Sequence, residues 1–174
     1  MTGIEEVCAR LPRAQTMTKN LILRPEKCVS CRTCELVCSF SHFKQFNPTL
    51  SAVAVIDYPE DVITVPLMCL QCDEPACAKV CPVNAITKCD DGKVSYDDEK
   101  CMVCKLCVQA CPMGSITYST QVRKLIRCDL CGDEALCAEW CPTKAIIYSD
   151  SVDDNERQRA VANNFREALK EGVA

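Results

Sequence analysis

The 174-residue chain has few of the residues from which small proteins build a core or an active site. It contains four Phe, four Tyr, one Trp and a single histidine, His42. It shows no Ser/His/Asp set, no glycine-rich phosphate loop and no isolated carboxylate pair, so we expect no site for bond chemistry. With so few aromatic side chains, bound groups must supply part of the core. The chain without them is therefore expected to be largely unfolded.

Three further absences concern location and partners. No run of eighteen apolar residues exists, so the sequence predicts no membrane span. Residues 1–20 contain neither an apolar core run nor a twin-arginine pattern, so cytoplasmic residence is expected by default. The formal net charge is −4, and bound anionic groups would make it more negative. Nucleic acid is therefore not an expected partner.

Cysteine, by contrast, is abundant: the chain has eighteen, and sixteen of them form four quartets. The first and third quartets read C-x2-C-x2-C-x3-C, while the second and fourth have a wider gap before their third cysteine. The tight spacing is that of bacterial ferredoxins with [4Fe–4S] clusters, for which thiolates are suitably soft ligands. We therefore predict four [4Fe–4S] clusters and a role in electron transfer. The quartets are Cys28-Cys31-Cys34-Cys38, Cys69-Cys72-Cys77-Cys81, Cys101-Cys104-Cys107-Cys111 and Cys128-Cys131-Cys137-Cys141.

Two other uses of cysteine fit the pattern less well. A disulfide scaffold belongs to small secreted chains, and nothing here looks like a secretory signal. Structural zinc usually takes two C-x2-C pairs separated by a long loop. Here three cysteines are packed closely, and three of the quartets end in Cys-Pro. The pattern favours iron–sulfur clusters over both alternatives.

The secondary structure predicted around the quartets is short and mixed. A repeat of about 30 residues begins at Cys81, Cys111 and Cys141, and each copy predicts a short helical turn followed by a strand. Residues 1–19 are predicted to be a flexible arm, and residues 153–171 a helix within a C-terminal segment, 150–174. The fold class is therefore α+β. Other predicted strands are Leu21–Arg24, Ser51–Asp57, Val62–Leu67, Ala85–Lys88, Lys93–Tyr96, Ser115–Ser119 and Val122–Arg127.

Ferredoxin folds pair two motifs about a pseudo-twofold axis, and each motif lends its last cysteine to the other cluster. Because tight and wide quartets alternate, each unit is expected to join one of each kind. Two schemes satisfy this rule: the first quartet pairs with the second, or the first pairs with the fourth. Spacing alone does not choose between them.

On these four quartets, residues 20–149 resemble the four-cluster iron–sulfur subunits of molybdenum and tungsten oxidoreductases, such as dimethyl sulfoxide reductase and formate dehydrogenase. The resemblance implies nested pairing, first with fourth and second with third. It implies two fused ferredoxin-like units, an outer unit of residues 20–56 and 120–149 and an inner unit of residues 57–119. The implied ligand sets, each named here by its first member, are Cys28, Cys31, Cys34 and Cys141; Cys128, Cys131, Cys137 and Cys38; Cys69, Cys72, Cys77 and Cys111; and Cys101, Cys104, Cys107 and Cys81.

The resemblance also implies partners. The stretch from Cys34 through Pro48 is similar to small subunits that accompany cytoplasmic aldehyde oxidoreductases of the tungsten class, and to small subunits of carbon monoxide dehydrogenase systems. We therefore expect a separate catalytic subunit with a tungsten or molybdenum cofactor. The second partner is expected to be ferredoxin, a flavin subunit or a quinone-linked carrier, and self-association is a further possibility. The chain is not expected to be an enzyme by itself.

Several residues outside the quartets lie near them. Cys8 and Cys89 are interpreted as incidental small residues. His42 is interpreted as a structural histidine, with a role beside the cluster of Cys38 as the alternative. Trp140 is predicted to shield cluster sulfur from water. Most of the basic residues that flank the cluster loops are interpreted as solvated charges: Arg24, Lys27, Arg32, Lys100, Lys105, Arg123, Lys124 and Arg127.

Overall fold

The computed structural model describes residues 19–60 and 63–149. The predicted arm up to residue 18, Cys8 and the predicted C-terminal helix lie outside the described residues. Within the described ranges, the strands are β1 Asn20–Leu23, β2 Ala54–Tyr58, β3 Ile63–Leu67, β4 Ile86–Lys88, β5 Val94–Tyr96, β6 Thr117–Ser119, β7 Lys124–Ile126 and β8 Ile146–Ser149. The helices are α1 Thr33–Phe43, α2 Ala76–Lys79, α3 Leu106–Ala110 and α4 Leu136–Glu139. Shorter 3₁₀ turns span Pro25–Lys27, Pro48–Leu50 and Leu130–Asp133.

The strands pair into four antiparallel two-stranded sheets. Three are hairpins between neighbours along the chain, β2–β3, β4–β5 and β6–β7, and their strands lie where the sequence predicted strands. The fourth sheet joins the two ends of the cysteine-rich region, because β1 pairs with β8. The short strands and few helices are consistent with the predicted α+β ferredoxin-like fold.

The helical turn predicted after each Cys-Pro is a single hydrogen-bonded turn, and the helices α2, α3 and α4 precede these cysteines. After the cysteine the chain makes one hydrogen-bonded turn and enters a strand or an extended segment. Asn84, Gly114 and Lys144, at the same place in each 30-residue repeat, have φ values of 49°, 59° and 55°. This left-handed backbone ends the turn before a helix can grow, and Gly114 adopts it without the steric cost that a side chain brings.

The described residues contain two separate hydrophobic clusters. Buried quartet cysteines belong to both clusters. The outer cluster includes Leu21, Val55, Met68 and Ile146. The inner cluster is formed by Cys77, Ile86, Val94, Cys107, Ile116 and Leu125. The predicted unit boundaries at 56/57 and 119/120 remain a prediction. The predicted boundary at 56/57 would cut through β2.

Helix packing follows the same division. In the outer unit α1 packs against α4, and in the inner unit α2 packs against α3. The first quartet thereby contacts the fourth, and the second contacts the third. No helix in the described ranges is long and apolar enough to cross a lipid bilayer.

Candidate metal centres

Each quartet lies on a loop that turns sharply just before its second cysteine. The residue at that position has a positive φ in all four loops: Ser30 at 54°, Gln71 at 50°, Val103 at 56° and Leu130 at 61°. None of these residues is glycine, so each such conformation costs about 1–3 kcal/mol. Strain of this kind persists where the surrounding structure imposes it. The four loops share this backbone feature, as expected if each wraps the same kind of group.

In the outer unit the cysteines come together across the chain. Cys28, Cys31, Cys34 and Cys141 line one cavity. Burial, with a smaller contribution from the nearby charges of Cys131 and Cys38, raises the pKa of Cys137 to about 12. Cys131 also has a raised pKa, chiefly from burial, with a contribution from Cys38. Cys141 therefore lies beside the first three cysteines of the first quartet, and Cys38 lies near Cys131 and Cys137 of the fourth.

The inner unit repeats this exchange. Burial raises the pKa of Cys77 to about 11, and the charges of Cys69 and Cys111 add to the effect. The same two neighbours raise the pKa of Cys72, after the larger effect of burial. The remaining four cysteines of the inner unit line a second cavity: Cys81, Cys101, Cys104 and Cys107.

The chemistry of these donors fits a soft metal group. All sixteen quartet cysteines carry free thiols. Burial raises the pKa of Cys34 to about 12, so this thiol keeps its proton unless a metal displaces it. Backbone amides face some of the sulfurs: Ala52 N–H donates to Cys38 Sγ at 3.4 Å, and Ala85 N–H donates to Cys81 Sγ at 3.2 Å. Such donors stabilise thiolates and tune the potential of bound iron–sulfur clusters.

The four sets also follow one another in space. The charge of Cys34, in the Cys28 set, acts on the pKa of Cys137 in the Cys128 set. The charge of Cys69, in the Cys69 set, acts on the pKa of Cys128. Cys77 and Cys107 then share the inner hydrophobic cluster. These neighbours are compatible with an order of the implied sets that runs from the Cys28 set through the Cys128 and Cys69 sets to the Cys101 set.

Exposure distinguishes the ends of this series from its middle. Among the sixteen quartet cysteines only Cys31 and Cys104 are exposed, and the other fourteen are buried or partly buried. Cys31 belongs to the Cys28 set and Cys104 to the Cys101 set, which are the first and last in the series. The two ends are therefore the sites nearest to solvent.

His42 joins the first quartet to the fourth. Its Nδ1 lies 2.9 Å from the carbonyl oxygen of Cys38, and its Nε2 lies 3.0 Å from Asp129 Oδ1. The Asp129 carboxylate raises the pKa of His42 to about 11, with Cys38 as the next contributor. The imidazole is then a cation that donates to both partners. Asp129 in turn accepts a hydrogen bond from Cys131 N–H at 2.9 Å. His42 is thus structural and also lies beside the Cys128 set.

The burial of the other residues noted in the sequence analysis bears on the roles predicted for them. Cys89 is buried and disulfide-bonded, so its interpretation as an incidental small residue is wrong, and its thiol is not available as a ligand. Trp140 is 60 % exposed, which argues against its predicted role as a shield for cluster sulfur. Among the basic residues that flank the loops, only Arg127 is buried. The others are exposed or partly buried, but Arg32, Lys100 and Lys124 form ion pairs, so they are not simply solvated charges.

Sequence reasoning missed three side chains that hold the loops. Glu35 is 4 % exposed and accepts a hydrogen bond from Val55 N–H at 2.7 Å. Buried Gln71 accepts from Val94 N–H at 2.8 Å and donates to the carbonyl of Cys128 at 3.3 Å. Asp129 is the third. Each of the three lies within two residues of a quartet cysteine. Glu, Gln and Asp are common on solvated surfaces, so the sequence gave no clear sign that these side chains hold the loops.

Comparison with protein-family models identifies the fold type independently. The model of the 4Fe-4S dicluster domain matches residues 60–151, which contain the second, third and fourth quartets. The chain belongs to the 4Fe-4S dicluster domain family. The family binds [4Fe–4S] clusters, which agrees with the thiol donors described above.

Several curated relatives of this chain are named as subunits of redox enzymes. It is 36 % identical over 86 residues to the polyferredoxin-like subunit of an aliphatic sulfonate oxidoreductase from Pyrococcus furiosus, covering 48 % of this chain and 49 % of that protein. It is 34 % identical over 90 residues to formate hydrogenlyase subunit 2 of Escherichia coli, covering 52 % of this chain and 43 % of the relative. The chain thus spans about half the length of the curated relatives it matches.

Among solved structures, one similar chain comes from the BamBC active-site complex of benzoyl coenzyme A reductase with benzoyl-CoA. The sequence identity is 26 % and the TM-score is 0.44. The similarity covers 75 % of this chain and 78 % of that one.

Proposed function

We propose that this chain is an electron-transfer subunit that relays single electrons through four [4Fe–4S] clusters, from a catalytic oxidoreductase subunit to a redox carrier or in the reverse direction. The observation that supports the proposal is that cysteines from different quartets line common cavities, while only Cys31 and Cys104 of the sixteen quartet cysteines are exposed. When bound, a [4Fe–4S] cluster accepts and releases one electron at a time. The chain itself performs no bond chemistry in this proposal.

The proposed ligands are the four nested sets. Two sets are supported by the cavities that their members line together. The Cys128 and Cys69 sets are supported by the mutual electrostatic effects of their thiols. Further support comes from β1–β8 pairing and from the packing of α1 on α4, which bring the first and fourth quartets together.

The protein contributes spacing, burial and hydrogen bonds. The middle sets lie among hydrophobic neighbours such as Leu130 and Ile116, which exclude water. Amide donors such as Ala52 N–H stabilise negative charge on the sulfurs. At the ends, exposed Cys31 and Cys104 bring the outermost sets close to any docked partner, so electrons enter at one end and leave at the other.

For the catalytic partner we propose an aldehyde oxidoreductase of the tungsten class, on the similarity of Cys34 through Pro48 to the small subunits of those enzymes. The polyferredoxin-like relative from a sulfonate oxidoreductase is compatible with a partner of the oxidoreductase type. A hydrogenase or formate-linked complex is the second candidate. It is favoured by formate hydrogenlyase subunit 2 and by hydrogenase-4 component A, which is 34 % identical over 93 residues.

Metal analysis of the anaerobically purified protein tests the cluster proposal. We expect about sixteen irons and sixteen sulfides per chain, and bleaching of the visible absorption by a low-potential donor. About four zincs per chain would contradict the proposal, as would clusters that no such donor reduces. Gentle purification from the native host then tests the partner: a tungsten-bearing subunit should co-purify. A nickel- or molybdenum-bearing partner in its place would favour the second candidate.

A further inference from the structure

Arg127 is a buried cation for which the described residues offer no counter-ion. It directly precedes Cys128, is only 7 % exposed, and its Nε has no hydrogen-bond partner. No carboxylate in the described ranges forms an ion pair with it. A guanidinium stays charged in proteins, and a buried unpaired charge is costly. An anion close to Arg127 would remove this cost.

The guanidinium contacts a thiol of the second quartet. Arg127 Nη2 lies 4.0 Å from Cys69 Sγ, a residue 58 positions away in the chain. Cys69 is the first member of one proposed ligand set. A cluster held by four thiolates is an anion, and it would be the missing counter-ion.

We propose that Arg127 raises the reduction potential of the cluster bound by the Cys69 set. This inference rests on the proposed ligand sets. One-electron reduction adds one negative charge to the site, makes and breaks no bond, and draws its electron from the redox partner. A fixed positive charge stabilises the reduced state more than the oxidised state. Because the charge is buried, salt screens it only weakly.

A second cation acts on the same set and strengthens the effect. Lys88 Nζ donates to the carbonyl oxygens of Gln71 at 3.0 Å and Cys72 at 2.8 Å. The Cys28 set differs, because the buried carboxylate of Glu35, which pairs with Arg32 at 3.4 Å, lies next to Cys34 in the chain.

The other basic residues around the loops do not share the situation of Arg127. Arg32, Lys100 and Lys124 form ion pairs with Asp57, Asp97 and Asp98. Arg123 is exposed on the turn between β6 and β7. It therefore provides a matched control, in which the same charge is removed from the surface.

The test measures the midpoint potentials of all four clusters in the loaded protein, by electron paramagnetic resonance at controlled potentials. The variants are Arg127→Gln, the charge-keeping Arg127→Lys and the control Arg123→Gln. For Arg127→Gln we expect one of the four midpoint potentials to fall. The equilibrium constant for reduction of that cluster should decrease about tenfold, which corresponds to about 59 mV for one electron. Arg127→Lys should shift it by less than half as much, and Arg123→Gln should leave all four unchanged.

Four unchanged potentials in a fully loaded Arg127→Gln protein would overturn the inference. If Arg127→Gln loses a cluster while Arg127→Lys keeps it, the requirement for charge supports the inference. Loss of that cluster in both variants would overturn it in favour of a packing role. If instead the unaltered protein holds no [4Fe–4S] clusters, the proposed function fails, which is a different result.

Discussion

The exchange of the last cysteine between the first and fourth quartets is open to a direct test by paired substitutions. Cys28 and Cys141 are 113 positions apart, yet they line the same cavity. β1 and β8 hold them there: Leu23 pairs with Ile146, and Arg24 N–H donates to the carbonyl of Ala145 at 2.8 Å. If this proximity reflects shared ligation, then removing either cysteine removes the same cluster.

The expected numbers follow from four irons per cluster. The unaltered protein should hold about sixteen irons, and Cys28→Ala or Cys141→Ala alone should hold about twelve. In the nested scheme the double variant should also hold about twelve, because both residues serve one cluster. In the alternative scheme, first quartet with second, Cys141 serves the Cys101 cluster, and the double variant falls to about eight.

Iron and sulfide are measured per chain after anaerobic purification, with visible absorption as a second count of clusters. The double variant Cys28→Ala with Cys101→Ala is the control, since these cysteines belong to different sets in both schemes and about eight irons should remain. If the Cys28 and Cys141 double variant matches this control instead of its single variants, the nested ligand sets are refuted.

Two further substitutions test the buried side chains that hold the loops. Gln71→Ala leaves Val94 N–H and the Cys128 carbonyl without their partner, so the free energy of unfolding should fall by about 1–3 kcal/mol for each orphaned group, measured by anaerobic urea titration of the loaded protein. Gln109→Ala, at an exposed site on α3, should change little, and an equal loss there would contradict the role of Gln71. Glu35→Gln removes a buried negative charge beside Cys34, so one cluster potential should rise, by about 59 mV for a tenfold effect. A fall, or no change relative to exposed Glu26→Gln, would show that this carboxylate does not act on the Cys28 set.

Local structure was predictable from the sequence where short-range signals agree. The β4–β5 hairpin follows from Asp90-Asp91-Gly92, where Gly92 takes a φ of 82° that a side chain would resist. The single turn after each Cys-Pro was also predictable, because proline suits the first turn of a helix. At Asn84 and Lys144 the left-handed backbone stops any helix after the proline. Neither residue type by itself predicts that conformation.

The surroundings of the candidate sites were less predictable. Arg127 and Arg123 look alike in the sequence, four residues apart beside the same strand, yet one is buried and the other exposed. Which of them is buried depends on the elements that cover the end of β7, and those come from distant parts of the chain. Gln71 likewise bonds to residues 23 and 57 positions away.

The sequence by itself determined the number of cysteine quartets, their two spacings and the kind of metal group they suit, because ligand type and loop length are local properties of the chain. It also determined the membership of the 4Fe-4S dicluster family through those quartets. Only the tertiary structure decided which quartets come together and which charges are buried between them. The β1–β8 pairing closes a loop of more than a hundred residues, and the chain entropy that opposes such closure changes little with loop length. The cysteine spacing did not determine which quartet lies beside the first. The packing of α1 on α4 places the fourth quartet there.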